Sequence, residues 1–393
     1  MKIIFLGLMF CEESLASAIQ VTKCGIQYAP HFFQKNLLEG FSQMEDIDLH
    51  VLNVPPTGSY PMNSRELFSK SYHWGEKRKQ ISFVNLPVLK HLEQKKKLLC
   101  ACREIICKTN EPVSVIIYSP YGPFLDVCNR LKKEFDNVSC CMILTDVVPG
   151  RGDLVRFMSK KAVKKGDAIV KKCACFDSFV VLTKYLAESV EAGDRPFTII
   201  ECVCNDRQAA ATQTDGSKNV ALYAGTLEKE YGILDMAKAF ALLENAQLRI
   251  YGRGGAEEEL KSIAATSDNV KFFGFADQAT IEKERNACDF LINPRRPTGT
   301  FTKYSFPSKT AEYMVSGKPV LMYKLEGVPD DYDQYLNYLS AETPEEIARQ
   351  LQALFSQPYD GLLEKAHKGR DFMLQNKSSK AQGEKIKHLL SRK

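Results

Sequence analysis

The sequence predicts an α/β protein made of two Rossmann-like domains. Two observations carry that reading: apolar runs alternate with helical patterns along the whole chain, and the plan repeats after a polar seam. In the first half the strand-like runs are 2–8, 48–53, 113–119, 140–145, 179–183 and 197–202, with helical patterns such as 33–43 and 124–135 between them. In the second half they are 219–224, 247–251, 270–273, 289–293 and 319–323, separated by 233–244, 255–265, 278–287 and 307–316. Such alternation implies parallel sheets covered by helices on both faces. A length of 393 residues also suits two cores better than one. The seam is 205–217, NDRQAAATQTDGS, polar and rich in small residues. The expected domains are therefore 1–205 and 206–375, with 376–393 a C-terminal helix able to cross back to the first. Ligands of doubly wound sheets bind beyond the carboxyl ends of the strands, so two such domains facing each other would form a cleft. Segment 54–81 has few strand or helix signals and holds the only tryptophan, Trp74, so it is either a structured excursion or a mobile loop.

Composition narrows the function classes. At 44% hydrophobic and 26% charged residues the chain reads as globular and soluble. No apolar run approaches the ~18 residues that a membrane-spanning helix needs. The start, MKIIFLGLMF, meets Glu12 and Glu13 at once, which suits a first buried strand and not a signal peptide; the expected compartment is the cytoplasm. Three C-x-C pairs occur, Cys100/Cys102, Cys173/Cys175 and Cys202/Cys204. In a strand such pairs share one face, so they read as core packing, whereas zinc wants wider spacing or nearby histidines. The net charge is +5, and residues 1–205 carry 27 Lys and Arg against 22 Asp and Glu while the remainder balances. Within the first half, 151–172 has eight basic residues against two acidic ones. That stretch is either a solvated helix face or a surface for anionic lipid headgroups or a pyrophosphate-bearing acceptor. Nucleic acid is disfavoured, because aromatic residues are not interleaved with the charges.

Chemistry concentrates in the second half. Tyr223-Ala224-Gly225-Thr226 closes a strand on a glycine and leads through Leu227–Tyr231 to a helix at Gly232. Ile250-Tyr251-Gly252-Arg253-Gly254-Gly255 is a strand and a glycine turn before an acid-started helix. Its glycines either let a backbone approach a ligand or serve only the turn. Val270–Phe275 ends in aromatics that could stack a base or cap the sheet. The stretch YSFPSKTAEYMVSGKPVLM, 304–322, opens a helix. Ser305 or Ser308 can cap it, and Pro307 suits its first turn. Free N–H groups and the helix dipole make that end an anion site, with Lys309 on the helix and Lys303, Arg295 and Arg296 just upstream. Glu312 lies one turn beyond Ser308, where a carboxylate could accept both hydroxyls of a ribose whose pyrophosphate sits at the helix end.

The order AGTLEKEYGI, IYGRGGAEEEL, NVKFFGF, CDFLINPR, FPSKTAEYMVSGKPV resembles the nucleotide-binding domain of a GT-B glycosyltransferase of family 4. LINPR…FTKYSFPSKTAEYM…LEGVP is similar to bacterial polysaccharide-biosynthesis members, and FFQKNLLEGF and FVVLTKYLAESV in the first half also resemble that group. The resemblance covers nearly the whole chain and is most specific at 300–320. It implies a GT-B fold and retaining transfer of a sugar from a nucleotide diphosphate sugar, without a metal or other cofactor. The implied acceptor is a saccharide or lipid-pyrophosphate-linked glycan in surface polysaccharide biosynthesis, such as a capsule or exopolysaccharide. The protein would sit in the cytoplasm or peripherally at the inner membrane face.

Carried over by residue, the resemblance makes Glu312 the second glutamate of the family's glutamate–seven residues–glutamate motif, which holds the donor ribose. Ser305, Phe306, Pro307 and Ser308 match the loop whose backbone meets the phosphates, and Phe275 lies beside the position that meets the base. Gly225, Thr226, Gly252 and Arg253 complete the expected nucleotide site. Asp146, at the end of CMILTD, stands where a polar residue often faces the donor sugar; as a residue it equally suits a turn cap. The chain departs from the family where the first glutamate becomes Tyr304 and the arginine after the first glycine becomes Thr226. The family's lysine is either Lys229 or replaced by Tyr231. Arg295, Lys303 and Lys309 are then the expected pyrophosphate cations. The same fold serves two alternatives, a nucleotide-sugar 2-epimerase and a nucleotide-binding partner protein without turnover.

Overall fold

The computed structural model describes residues 1–23, 26–153, 158–205, 210–216 and 218–392. Parts of the seam (206–209 and 217) and of the basic stretch (154–157) lie outside the described residues. The chain divides into two compact units, Met1–Val203 with Ser378–Lys393, and Cys204–Lys377.

In the first unit the elements run β1 (Lys2–Gly7), α1 (Glu12–Val21), α2 (Tyr28–Ser42), β2 (Asp48–Asn53), β3 (Phe68–Ser69), β4 (Tyr72–His73), β5 (Arg78–Gln80), β6 (Phe83–Val84), α3 (Leu89–Ile106), β7 (Val113–Tyr118), α4 (Gly122–Glu134), β8 (Val138–Leu144), α5 (Lys160–Cys173), β9 (Ser178–Val181), α6 (Lys184–Ser189) and β10 (Phe197–Ile199). The main sheet has the order β10-β9-β8-β7-β1-β2-β5-β4. Its pairs are parallel except the edge pair β4–β5. Strands buried on both faces read as continuous apolar runs, which is why β1, β7 and β8 stand out in the sequence. Segment 54–81 is a structured excursion: β5 extends the sheet beside β2, with Val51 opposite Arg78. The segment shows no apolar run because its strands are two or three residues long.

The C-x-C pairs are not strand neighbours throughout. Cys100 and Cys102 lie on α3, where they point apart: one is exposed and the other buried. Cys173 ends α5 and Cys175 follows it, whereas Cys202 and Cys204 lie beyond β10, outside any helix, with both side chains buried. Helical spacing at the first pair breaks the shared face that a strand would give.

The second unit contains β11 (Val220–Ala224), α7 (Ile233–Ala241), β12 (Gln247–Tyr251), α8 (Glu257–Thr266), β13 (Val270–Gly274), α9 (Gln278–Ala287), β14 (Phe290–Asn293), α10 (Ser308–Ser316), β15 (Val320–Tyr323), β16 (Asn337–Leu339), α11 (Pro344–Phe355) and α12 (Tyr359–Asn376). Its sheet has the order β13-β12-β11-β14-β15-β16, parallel at every pair. Counted from the first strand this is the doubly wound order 3-2-1-4-5-6, whose direction reverses between β11 and β14. The carboxyl ends of those two strands are Ala224–Gly225 and Asn293–Arg295, so topology alone selects them as the ligand end.

α13 (Ser379–Ser391) belongs to the first unit. Its Ile386 and Leu389 join Leu37, Leu38 and Phe41 of α2 in the core. The two helices cross closely at Gly40, where a Cβ would lie 1.9 Å from the Ser379 carbonyl oxygen. Gln382 Nε2 donates to the Cys202 carbonyl at 2.7 Å, fixing the returning helix to the end of the unit's last strand segment.

Candidate functional site

The site is built around the amino end of α10. Two buried tyrosine and asparagine contacts place this helix over the strand ends. Tyr313 Oη accepts from the Ala224 N–H at 3.2 Å, and Asn293 Nδ2 donates to Thr310 Oγ1 at 3.2 Å. α10 thereby spans β11 and β14 where the sheet reverses direction. Gly317 ends the helix in the left-handed conformation, at φ 76°. Lys318, 1% exposed, then donates to the Cys288 carbonyl at 2.7 Å and so holds the end of α9. Burial lowers the pKa of this lysine, and the carbonyl dipoles at the helix end are its compensation. GKP in the sequence is therefore a structural device: a helix stop, a buried ammonium and a proline opening β15.

The expected serine caps are not present. α10 begins at Ser308, Pro307 occupies the capping position, and no side chain caps the helix. Proline has fixed φ and no side-chain acceptor, so at this position only its backbone carbonyl accepts, from the Thr310 N–H at 2.9 Å. Ser305 is engaged elsewhere: it accepts from Arg295 Nη2 at 3.1 Å and donates to the Phe301 carbonyl at 3.4 Å. The first-turn N–H groups of α10 thus keep their dipole without a side-chain acceptor.

Arg295 is the main cation at this end. Its guanidinium lies over the rings of Phe301, at 4.7 Å, and Tyr231, at 5.5 Å. It is half-buried, and among the described residues no carboxylate bonds it. Its Nε is buried without a hydrogen-bond partner in the same set. Burial lowers its pKa, and the neighbouring Tyr231 and Tyr223 hydroxyls oppose that shift only in part. A guanidinium stacked between aromatics and left without an acid is preorganised for an anion.

Glu312 sits one turn into α10 with two cations. Lys309 Nζ lies 2.9 Å from one carboxylate oxygen and Arg285 Nη1 3.4 Å from the other. Arg285 comes from the last turn of α9 and is only 11% exposed at its side chain, whereas Glu312 is 38% exposed. The carboxylate is therefore oriented by a nearly buried arginine and remains open to solvent. Sequence reading missed Arg285, because its spacing of 27 residues from Glu312 belongs to no motif. The signal available was a basic residue closing the helix before β14.

The remaining predicted residues divide. Gly225 and exposed Thr226 lie at the end of β11, where Tyr223 Oη donates to the Thr226 carbonyl at 2.7 Å. Phe275 is 65% exposed after β13, and the Arg253 guanidinium lies 4.6 Å over its ring. That pair forms an open flat platform. Ser308 is exposed at the helix start. Phe306 is buried and packs on Tyr332 at 5.4 Å, so its ring supports the loop. Tyr304 is also buried, 5% exposed, with Lys303 Nζ 5.1 Å from its ring centre. Arg296 is committed to structure through Asp235 at 3.0 Å. Lys229, exposed on a 3-10 turn, pairs with Glu259 of α8. Asp146 belongs to the first unit, exposed after β8, where its carboxylate accepts from Thr145 Oγ1 at 3.2 Å.

Gly252 and Gly254 serve the packing of the strand ends. A Cβ on Gly252 would stand 1.8 Å from the Gly225 carbonyl oxygen, and one on Gly254 2.5 Å from that of Leu227. Their φ values are 146° and 158°. Both therefore let two strand-end loops of the same unit pack backbone to backbone.

Comparison with known proteins bears on the fold. Residues 218–357 match the family model described as Glycosyl transferases group 1. No curated protein sequence matches the chain. Sucrose-phosphate synthase from Thermosynechococcus elongatus aligns with a TM-score of 0.67 at 16% identity, over 99% of this chain and 98% of that one. HepE of Anabaena, solved in complex with UDP and glucose, aligns at 0.61 and 15% identity, over 100% and 99% of the two chains. The OtsA apo structure aligns at 0.66 and 10% identity over 100% of both. The fold is the two-domain GT-B fold that these solved structures share, and residues 218–357 are similar to the group 1 glycosyl transferases.

Proposed function

We propose that the protein is a retaining glycosyltransferase that takes a nucleotide diphosphate sugar as donor. One observation carries the reading: Arg295, half-buried and without an acid, stands with the uncapped end of α10 at the reversal point of the second sheet. A diphosphate there would meet the helix dipole, the first-turn N–H groups, Arg295 and Lys309. Glu312, steadied by Arg285, would accept the ribose hydroxyls. The Phe275–Arg253 platform suits the base, since aromatic and guanidinium faces both stack on heterocycles. HepE, of similar fold, is described in complex with UDP and with UDP-glucose, which makes uracil the first base to test.

As the glycosidic bond breaks, negative charge grows on the β-phosphate oxygens. Donors fixed in advance at that position lower the barrier without reorganising at the moment of reaction. The acceptor would be a saccharide or a lipid-pyrophosphate-linked glycan of a surface polysaccharide, bound by the first unit.

The test is a panel of nucleotide sugars, with release of nucleoside diphosphate followed in the presence of lipid and saccharide extracts. Release with one donor is expected; none with any donor contradicts enzymatic transfer and favours a binding protein. Epimerised donor without release would favour the isomerase. In the same assay Tyr304→Glu should release no more diphosphate than wild type, since residue 304 is buried and a carboxylate there would lose hydration. Faster release by Tyr304→Glu would show instead that the missing acid limits turnover.

A further inference from the structure

We infer that the turn and first helical turn at 86–92, at the head of α3, form a contact surface for an anionic lipid bilayer. Four large apolar side chains lie exposed within seven residues: Leu86 at 36%, Val88 at 71%, Leu89 at 40% and Leu92 at 60%. Phe68 and Met62, 62% and 74% exposed, extend the patch. Phe68 pairs with Val84 across β3–β6, and the Tyr60 N–H to Asn85 carbonyl bond of 2.8 Å brings the 60–63 turn alongside. Scattered exposed hydrophobics need no explanation, but a contiguous cluster does.

The backbone is strained at the tip. Val88 has φ 66° and ψ −55°, and the Leu89 N–H donates to the Pro87 carbonyl at 2.7 Å. This is the γ-turn with positive φ, rare for any residue and unfavourable for a β-branched one. A burial gain cannot maintain it, because Val88 is the most exposed of the four. The strain turns an apolar side chain outward, the arrangement that local strain at a contact site produces.

Charge selects the occupant. Residues 60–97 hold nine Lys and Arg against three Glu, a surplus greater than the +5 of the whole chain. Lys95, Lys96 and Lys97 lie within α3; Lys95 pairs with Asp126 and Lys97 with Glu93, while Lys96, one turn beyond Leu92, makes no ion pair among the described residues. Apolar tips with lysines one or two turns behind match a bilayer interface: the side chains enter the acyl boundary while the ammonium groups meet phosphates. A surface made for a second copy of a basic chain would bring like charges together. The inference stands apart from sugar transfer: a protein could bind vesicles here and transfer nothing.

The experiment is vesicle flotation of the full chain, with phosphatidylcholine alone and with phosphatidylcholine containing phosphatidylglycerol. Wild type should float with the anionic vesicles and lose this at ~1 M salt, where screening acts within about 3 Å. Val88→Asp with Leu92→Asp should reduce partitioning by about tenfold or more while the thermal melt stays unchanged, since both residues are exposed. Lys96→Glu should weaken it by about fivefold or more with the apolar residues intact. Absence of wild-type binding to anionic vesicles overturns the inference, as does undiminished binding of the double aspartate variant. So does a wild-type dimer that the aspartates dissociate while neither protein binds vesicles.

Discussion

Arg295→Met should bind nucleoside diphosphate about 10–100-fold more weakly than wild type, the loss expected for a charge-assisted hydrogen bond to phosphate. Methionine keeps apolar contact with Tyr231 and Phe301 and removes the charge and the donors. The thermal midpoint should not fall, because the variant removes a half-buried cation whose loss of hydration its neighbours offset only in part. That combination separates a ligand arginine from a structural one, whose loss would lower stability and leave affinity unchanged. Arg295→Lys should fall between the two, as an ammonium cannot stack flat between aromatic rings. Titration calorimetry with UDP, GDP and ADP, beside scanning calorimetry, checks both halves.

Gly252→Ala should cost at least about 3 kcal/mol of stability, from backbone overlap and from a φ that alanine rarely adopts. The Gly225 carbonyl stands 1.8 Å from the position of the new methyl, so a strand-end loop and not a flexible side chain must move. For a domain of this size the loss should lower the midpoint by roughly 6–12 °C. Gly255→Ala is the control: its nearest neighbour is the Glu228 carboxylate at 3.3 Å, the end of a side chain that can turn aside. It should melt within about 2 °C of wild type. If both variants melt alike, the close approach of the two loops is not what the glycine serves.

Much of the frame was legible because doubly wound strands bury both faces. β11, β12, β14 and β15 each announce themselves as apolar runs, and α10 as a helix between Pro307 and Gly317. β16 did not, since Asn337–Leu339 has only three residues and lies at the sheet edge. The cap at 305–308 was misread because composition shows which side chains can accept a bond but not which are already held, and Ser305 is held by Arg295. Arg285 and the stacking rings around Arg295 depend on separate elements meeting in space, which no local pattern encodes. Tyr304 was legible as a departure, and its burial now shows that the ring is part of the unit's packing.

The central claim is that Glu312 holds a ribose in the second unit. The direct measurement is a thermodynamic cycle by titration calorimetry, pairing wild type and Glu312→Ala with a nucleoside diphosphate and its 2′-deoxy analogue. If the carboxylate accepts the 2′-hydroxyl, removing that hydroxyl should weaken wild-type binding by about 5–30-fold and leave the variant almost unaffected, a coupling of about 1–2 kcal/mol. Equal losses for both proteins would contradict the claim and make Glu312 only the partner of Arg285 and Lys309.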